Sequence, residues 1–331
     1  MKNFFPVSIL IGLLLSSQIV QAKTFKLATV SPDGSSWMIK IRQGVEQIEK
    51  TTQKRVQFKI YPGGVMGSDA TVLRKIRTNQ LQGGALTSGA LAASYPDSQV
   101  YNLPLLFQSQ QEVDFVKQHL DPLIQKGMEK SGFVTFGYAG GGFAYLMSKQ
   151  PITSLADIDQ RKVWIPSGDD VAKAVVNAFN ITPIPLSLGD VLPALQTGII
   201  DTVTISPIGA LAFQWQTQVK YITEMPVLYL YATLAIDIKA FTSISEADQK
   251  SVRDVFGKVF QEIDEENKKN DAEALQALRN LGIEFVKPSA AEMALWTEKA
   301  RTVAPLMVKN QTLSQQIFDR ANEWLKQYRS K

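Results

Sequence analysis

TFKLATVSPDGSSWMIKIRQGVEQIEKTTQKRVQFKIYPGGVMGSDATVLRKIRTNQLQGGALTSGAL, residues 24–91, is the stretch whose pattern decides the fold. TFKLATV (24–30) alternates and is rich in strand formers, and Ser31-Pro32-Asp33-Gly34 then makes a turn. Ser35 stands as the N-cap of a helix from Ser36 to about Lys50, with Trp37, Ile41, Val45 and Ile48 on one face. RVQFKIY (55–61) alternates again and stops at Pro62-Gly63-Gly64. A second helix is predicted from about Asp69 to Asn79, and the small apolar run 83–91 reads as a buried strand and a tight turn. Strand–helix–strand–helix–strand order is the pattern of a mostly parallel sheet covered by helices.

Working outward, the pattern resumes after residue 110. A helix near 111–130 precedes a strand at 133–138, and glycines 140–142 form a hinge-like tract before AYLMS (144–148). Residues 162–166 (KVWIP) lead into a helix over 169–179, Pro183 and Pro185 mark an edge, and a helix at about 189–197 precedes IIDTVTIS. Residues 226–238 are continuously apolar, as in a buried central strand. Residues 245–281 form one or two long amphipathic helices, whose charged run EIDEENKKNDAE (262–273) reads as a solvated face with i,i+4 pairs.

The 331 residues suggest two domains, and 45% hydrophobic with 20% charged residues excludes a disordered chain. A formal charge of +4 is too small over this length to argue for nucleic acid. With no cysteine and His119 as the one histidine, thiolate chemistry, most hydrolase triads and multi-histidine metal sites are excluded. An enzyme is therefore not expected; no catalytic residue, metal site or cofactor is assigned. Residues 1–22 carry Lys2, an apolar run from Phe4 to Leu15 and the small-residue ending Val20-Gln21-Ala22. That is the pattern of an export signal cleaved after Ala22, and the apolar run is too short to span a bilayer. The mature chain is expected in a bacterial periplasm.

Four segments in order resemble one family, the solute-binding proteins of tripartite ATP-independent periplasmic (TRAP) transporters, dicarboxylate-receptor type. They are YPGGVMGSD (61–69), NLPLLF (102–107), SLADIDQRKVWIP (154–166) and DVLPALQTGIID (190–201). The resemblance implies an α/β fold of two lobes closing like a Venus flytrap, with mixed sheets, crossing strands and a long helix linking the lobes. On that expectation residues 23–143 plus about 232–285 form the first lobe. Residues 144–231 plus about 286–331 form the second lobe and the C-terminal helices. It also implies a small-molecule ligand in the cleft and delivery to a small and a large integral membrane subunit. A monomer is expected. A periplasmic sensor module would share the same sequence pattern.

The family's carboxylate-binding positions are changed. Trp164 stands where the strand of typical members carries an arginine, Ala144 at a second arginine position, and Ser206 at an asparagine. Trp164 either faces the cleft or turns into the core. Lys162, on the same strand face, could replace the lost cation, as could Arg74 or Arg77; this chain would then be an ordinary organic-acid receptor. Otherwise the solute is neutral or amphipathic, with the indole as an apolar face and single donor. Asp169, a helix-capping residue, is the candidate counter-ion for a cationic group. Ser35, Ser36 and Trp37 at the first strand–helix turn, and Thr87 and Ser88 at the third strand's end, occupy the places where open α/β sheets bind ligands. Phe213 and Trp215 add aromatic surface to the second lobe.

Overall fold

A computed structural model describes residues 22–331; the expected leader and its cleavage point fall outside them, apart from Ala22. The chain opens with β1 (Lys23–Thr29), α1 (Ser36–Thr51), β2 (Val56–Tyr61), α2 (Asp69–Arg77), β3 (Gly83–Thr87) and the single-turn α3 (Ser88–Leu91). A 3-10 segment (Pro96–Asn102), α4 (Gln110–Lys130) and β4 (Phe133–Thr135) complete this part. β1 pairs in parallel with both β2 and β3, as the strand–helix–strand order of residues 24–91 predicts. Serines 35, 68 and 109 cap α1, α2 and α4, each accepting a main-chain N–H from the helix's first turn.

The strand expected over 133–138 ends at Thr135. Phe136 turns its ring onto Phe241 and Phe256, and the Thr233 hydroxyl donates to the Gly137 carbonyl, which takes the chain out of the ladder. The glycine tract lies within the ten-residue strand β5 (Ala139–Ser148), where the register with β10 shifts between Gly140 and Gly142.

The second lobe follows as α5 (Leu155–Asp159), β6 (Val163–Pro166), α6 (Asp170–Ala178), β7 (Pro183–Leu186), α7 (Val191–Thr197), β8 (Thr202–Ile205), α8 (Pro207–Ala212) and β9 (Tyr221–Thr223). β6 is parallel to β7 and β8. β10 (Leu228–Asp237) then crosses back, antiparallel to β5 at one end and to β3 and β4 at the other. The strand order β2-β1-β3-β10-β5-β8-β6-β7 therefore runs through both lobes, with the antiparallel β10–β5 pair as the crossing.

After α9 (Ile238–Thr242), residues 246–280 form one helix, α10. Its apolar stripe of Val252, Val255, Phe256, Val259, Phe260 and Ile263 is buried with Phe25, Leu27 and Ile41 of the first lobe. Each such side chain contributes about 1.5–3 kcal/mol when fully buried. Farther along, Leu278 joins the second lobe's core with Met147 and Ile222. One helix thus packs on both lobes. β11 (Glu284–Val286) pairs with β9, and α11 (Ala290–Arg301), α12 (Val303–Lys309) and α13 (Gln315–Arg329) end the chain.

Candidate functional site

The carboxyl ends of β3 and β6 meet across the lobes. On the first lobe, Asp69 at the start of α2 accepts from the Thr87 amide (3.2 Å) and hydroxyl (2.9 Å) through Oδ2, while its Oδ1 is buried without a partner. Burial holds the Asp69 carboxyl above the usual range despite those two hydrogen bonds. The next residue, Ser88, donates to Asn102 Oδ1 at 2.6 Å and so ties the β3 end to the 3-10 segment. On the second lobe, Pro166-Ser167-Gly168 turns the chain from β6 into α6, which Asp169 caps by accepting from Ala172 N at 2.9 Å. Burial raises the Asp169 carboxyl, and the Ala172 amide only partly offsets it.

Two contacts join these walls. The Val171 amide of α6 donates to Gln99 Oε1 at 3.1 Å. Asp169 presses on α3, where a Cβ added to Gly89 would lie 2.5 Å from Asp169 Oδ2. Behind them is a cavity of about 140 Å³. Asn102, Pro104 and Leu105 line it from the first lobe, Leu228 and Leu230 from crossing strand β10, and Leu146 from β5. Trp164, Ile165, Val175 and Phe179 line it from β6 and α6, and Trp296 from α11. Strand alternation explains the composition: Leu228 opposes Ala144 and Thr204 opposes Leu146, which sets these residues on one sheet face. Among the described residues, Asp169 is the one ionisable residue that lines the cavity, and no lysine or arginine does so.

Of the residues singled out in the sequence, Trp164 and Asp169 line this cavity. Trp164 is both lining and core: it is 4% exposed, stands edge-on to Trp215 with ring centres 5.2 Å apart, and its Nε1 donates to the Leu186 carbonyl at 3.1 Å. Its donor is therefore already used. Thr87 and Ser88 sit at the inter-lobe wall through Asp69 and Asn102. Ala144 is fully buried in β5 opposite Leu228, beside the lining rather than in it. Ser206 caps α8 through Gly209 N, and Ser35 caps α1 through Met38 N. Ser36 is the first residue of α1, and Trp37 packs edge-on against Phe260. Phe213 and Trp215 pack on each other in the second lobe. Lys162 reaches the Gly198 carbonyl at 2.8 Å, Arg74 the Thr71 hydroxyl, and Arg77 the Ala93 carbonyl and Ser94 hydroxyl. None of these three cations lines the cavity.

The sequence reading missed Asn102, Gln99, Leu105, Leu228 and Leu230. Four of them lie in segments that stand out, Asn102 and Leu105 in NLPLLF and Leu228 and Leu230 in the apolar run 226–238. Nothing in either pattern says that β10 and the 3-10 segment meet at α6.

Two α/β lobes joined by crossing strands, with an apolar cavity lined from both, are the architecture of a receptor that captures a small solute. The family described as bacterial extracellular solute-binding protein, family 7 (DctP), matches residues 27–311, and the chain belongs to it. These are the extracytoplasmic receptors of TRAP transporters, transport proteins rather than enzymes, which work with membrane subunits. The chain is similar to the C4-dicarboxylate-binding periplasmic protein DctP of Rhodobacter capsulatus, 27% identical over 76% of this chain and 77% of that one. A solute-binding protein of Roseobacter denitrificans is 22% identical over 76% and 77%. The galactonate complex of a sugar-acid-binding protein from Advenella mimigardefordensis has the same fold, with a TM-score of 0.85 at 16% identity over 93% of this chain and 99% of that one. Family members are periplasmic receptors, and no helix among the described residues is long and apolar enough to cross a membrane.

Proposed function

We propose that this protein is the periplasmic receptor of a TRAP transporter for a small, uncharged and largely apolar solute. It binds that solute in the inter-lobe cavity and delivers it to the small and large membrane subunits. The observation that carries the reading is the lining itself: leucines, valines, isoleucines and two tryptophans, one carboxylate and no cation. A carboxylate enclosed there without a paired donor cation would cost several kcal/mol. The family resemblance puts arginines at the positions that are Ala144 and Trp164 in this chain, and this supports an uncharged solute. The cations that could compensate, Lys162, Arg74 and Arg77, are bound to carbonyls and hydroxyls elsewhere. Trp164 and Asp169 are assigned to the solute contact, and Thr87 and Ser88 to the wall that supports it.

Denaturing the protein purified from its host and identifying the released molecule by mass spectrometry tests the reading directly. A neutral, largely apolar compound is expected, and Trp164→Ala should abolish its binding. Succinate, malate or fumarate raising the melting temperature at micromolar concentration overturns it.

A further inference from the structure

The cavity is apolar over most of its lining, and its polar groups gather where the lobes meet. Asn102, 5% exposed, is one of the lining residues. Its Oδ1 accepts the Ser88 hydroxyl at 2.6 Å, which fixes the orientation of the amide and leaves Nδ2 as its free donor. Asp169 lines the cavity from the opposite lobe, with Oδ1 held by the Ala172 amide and Oδ2 toward Gly89. Gln99 stands one turn before Asn102 and is 1% exposed. Its Oε1 accepts from Val171 N, and its Nε2 is buried with no partner. Gln99 is not itself a lining residue, so it backs the polar corner that Asn102 and Asp169 present to the cavity.

We propose that Asn102 and Asp169 form the polar end of the solute site and select one uncharged head group that both accepts and donates a hydrogen bond: an alcohol, a phenol or a primary amide. The inference rests on the reading of the inter-lobe cavity as the solute site. A hydroxyl accepts from Asn102 Nδ2 and donates to the Asp169 carboxylate. A carboxylate head meets Asp169 as a like charge in a largely apolar pocket. An ammonium head satisfies Asp169 but offers nothing to the amide donor. The volume, about 140 Å³, is close to the roughly 150 Å³ of an apolar cavity that holds benzene, so the body is one six-membered ring or a chain of similar size.

Calorimetric titration of the full mature chain, stripped of solute by unfolding and refolding, tests this with five probes of one size. These are benzyl alcohol, benzamide, benzoate, benzylamine and toluene at neutral pH. Benzyl alcohol and benzamide should bind at least tenfold tighter than the other three. Asn102→Asp keeps the acceptor for Ser88 and removes the donor, and Asp169→Asn keeps a capping oxygen. Each should weaken benzyl alcohol about tenfold and leave toluene unchanged. Benzoate or benzylamine binding as tightly as the alcohol overturns the proposal. So does toluene matching the alcohol, in which case the cavity still stands as the solute site. No binding by any of the five overturns both.

Discussion

Gly89 and Asp169 meet closely across the lobes, and a single methyl group there probes the closed state. A Cβ on Gly89 would lie 2.5 Å from Asp169 Oδ2 and 3.0 Å from Cγ, on a carboxylate that the α6 cap holds in place. Overpacking of this kind costs about 1–3 kcal/mol. The open protein escapes the clash, so the cost falls on closure. Gly89→Ala should therefore weaken solute binding by roughly tenfold or more while leaving the urea midpoint of the solute-free protein unchanged. An equal loss in both measurements would place the strain in folding instead. At this scale the sequence was informative about caps and turns: Asp169, Thr87 and Ser88 stand at strand ends by local pattern alone. Asn102 and Gln99 were not legible, because their role comes from α6 arriving opposite the 3-10 segment, a contact more than 60 residues away in the chain.

Helix α10 shows how a pattern can be read correctly and still conceal its use. The run EIDEENKKNDAE does contain an i,i+4 pair, Asp264 with Lys268 at 2.8 Å. The same face also grips the glycine tract of β5. Asp264 accepts from Gly140 N at 2.7 Å, Asn267 donates to the Gly140 carbonyl at 2.7 Å, and Lys268 reaches Asp114 of α4 at 2.7 Å. One helical turn on, Gly142 has φ +85°, and a Cβ there would lie 2.6 Å from Asp271 Oδ1. That oxygen is buried without a partner, and burial pushes the Asp271 carboxyl up to about 6. Between the unfolded value near 3.9 and this raised value, the native state binds more protons than the unfolded chain. This contribution to stability is full below about pH 4 and is lost as the pH rises through 6, by about 3 kcal/mol. Asp271→Asn should flatten that part of the profile in urea titrations at pH 4.5 and 7. A variant retaining the full wild-type slope would assign it to Asp69, Asp121 and Asp169, whose carboxyls burial also raises.

At the scale of the whole molecule, the lobes are connected by β5, β10 and α10, and the C-terminal helices add a strap across both. α13 is fastened to the first lobe, where Arg329 donates to both oxygens of Glu112 at 2.7 and 2.8 Å and Ser314 donates to Asp97 through N and Oγ. α11 touches the second lobe, where Glu292 accepts from Leu155 N at 3.2 Å, and its Trp296 lines the cavity. The strand–helix alternation of the first lobe and the main strands of the second were readable from periodicity, whereas α5, α8 and β9 were not. The course of the strap was not, since an amphipathic helix shows that it has a buried face but not which lobe it covers. This connectivity leaves two outcomes open to measurement, a pair of lobes that closes on its solute or a strapped body that stays rigid. The polar contacts beside the cavity favour the first: one hydrogen bond, from the Val171 amide to the Gln99 side chain, and one close approach, Asp169 to Gly89, flank a cavity whose lining comes from both sides. Two such contacts are weak against the gain from a solute that bridges the lobes, so binding should shift the population toward the closed form. Small-angle scattering of the solute-free chain should give a larger radius of gyration than the same chain at saturation. Gln99→Leu, which removes the acceptor for Val171 N, should widen the difference by opening the free form further. Identical profiles with and without solute would instead mean that the strap holds the lobes in one arrangement and that solute enters by local movement of α6 alone.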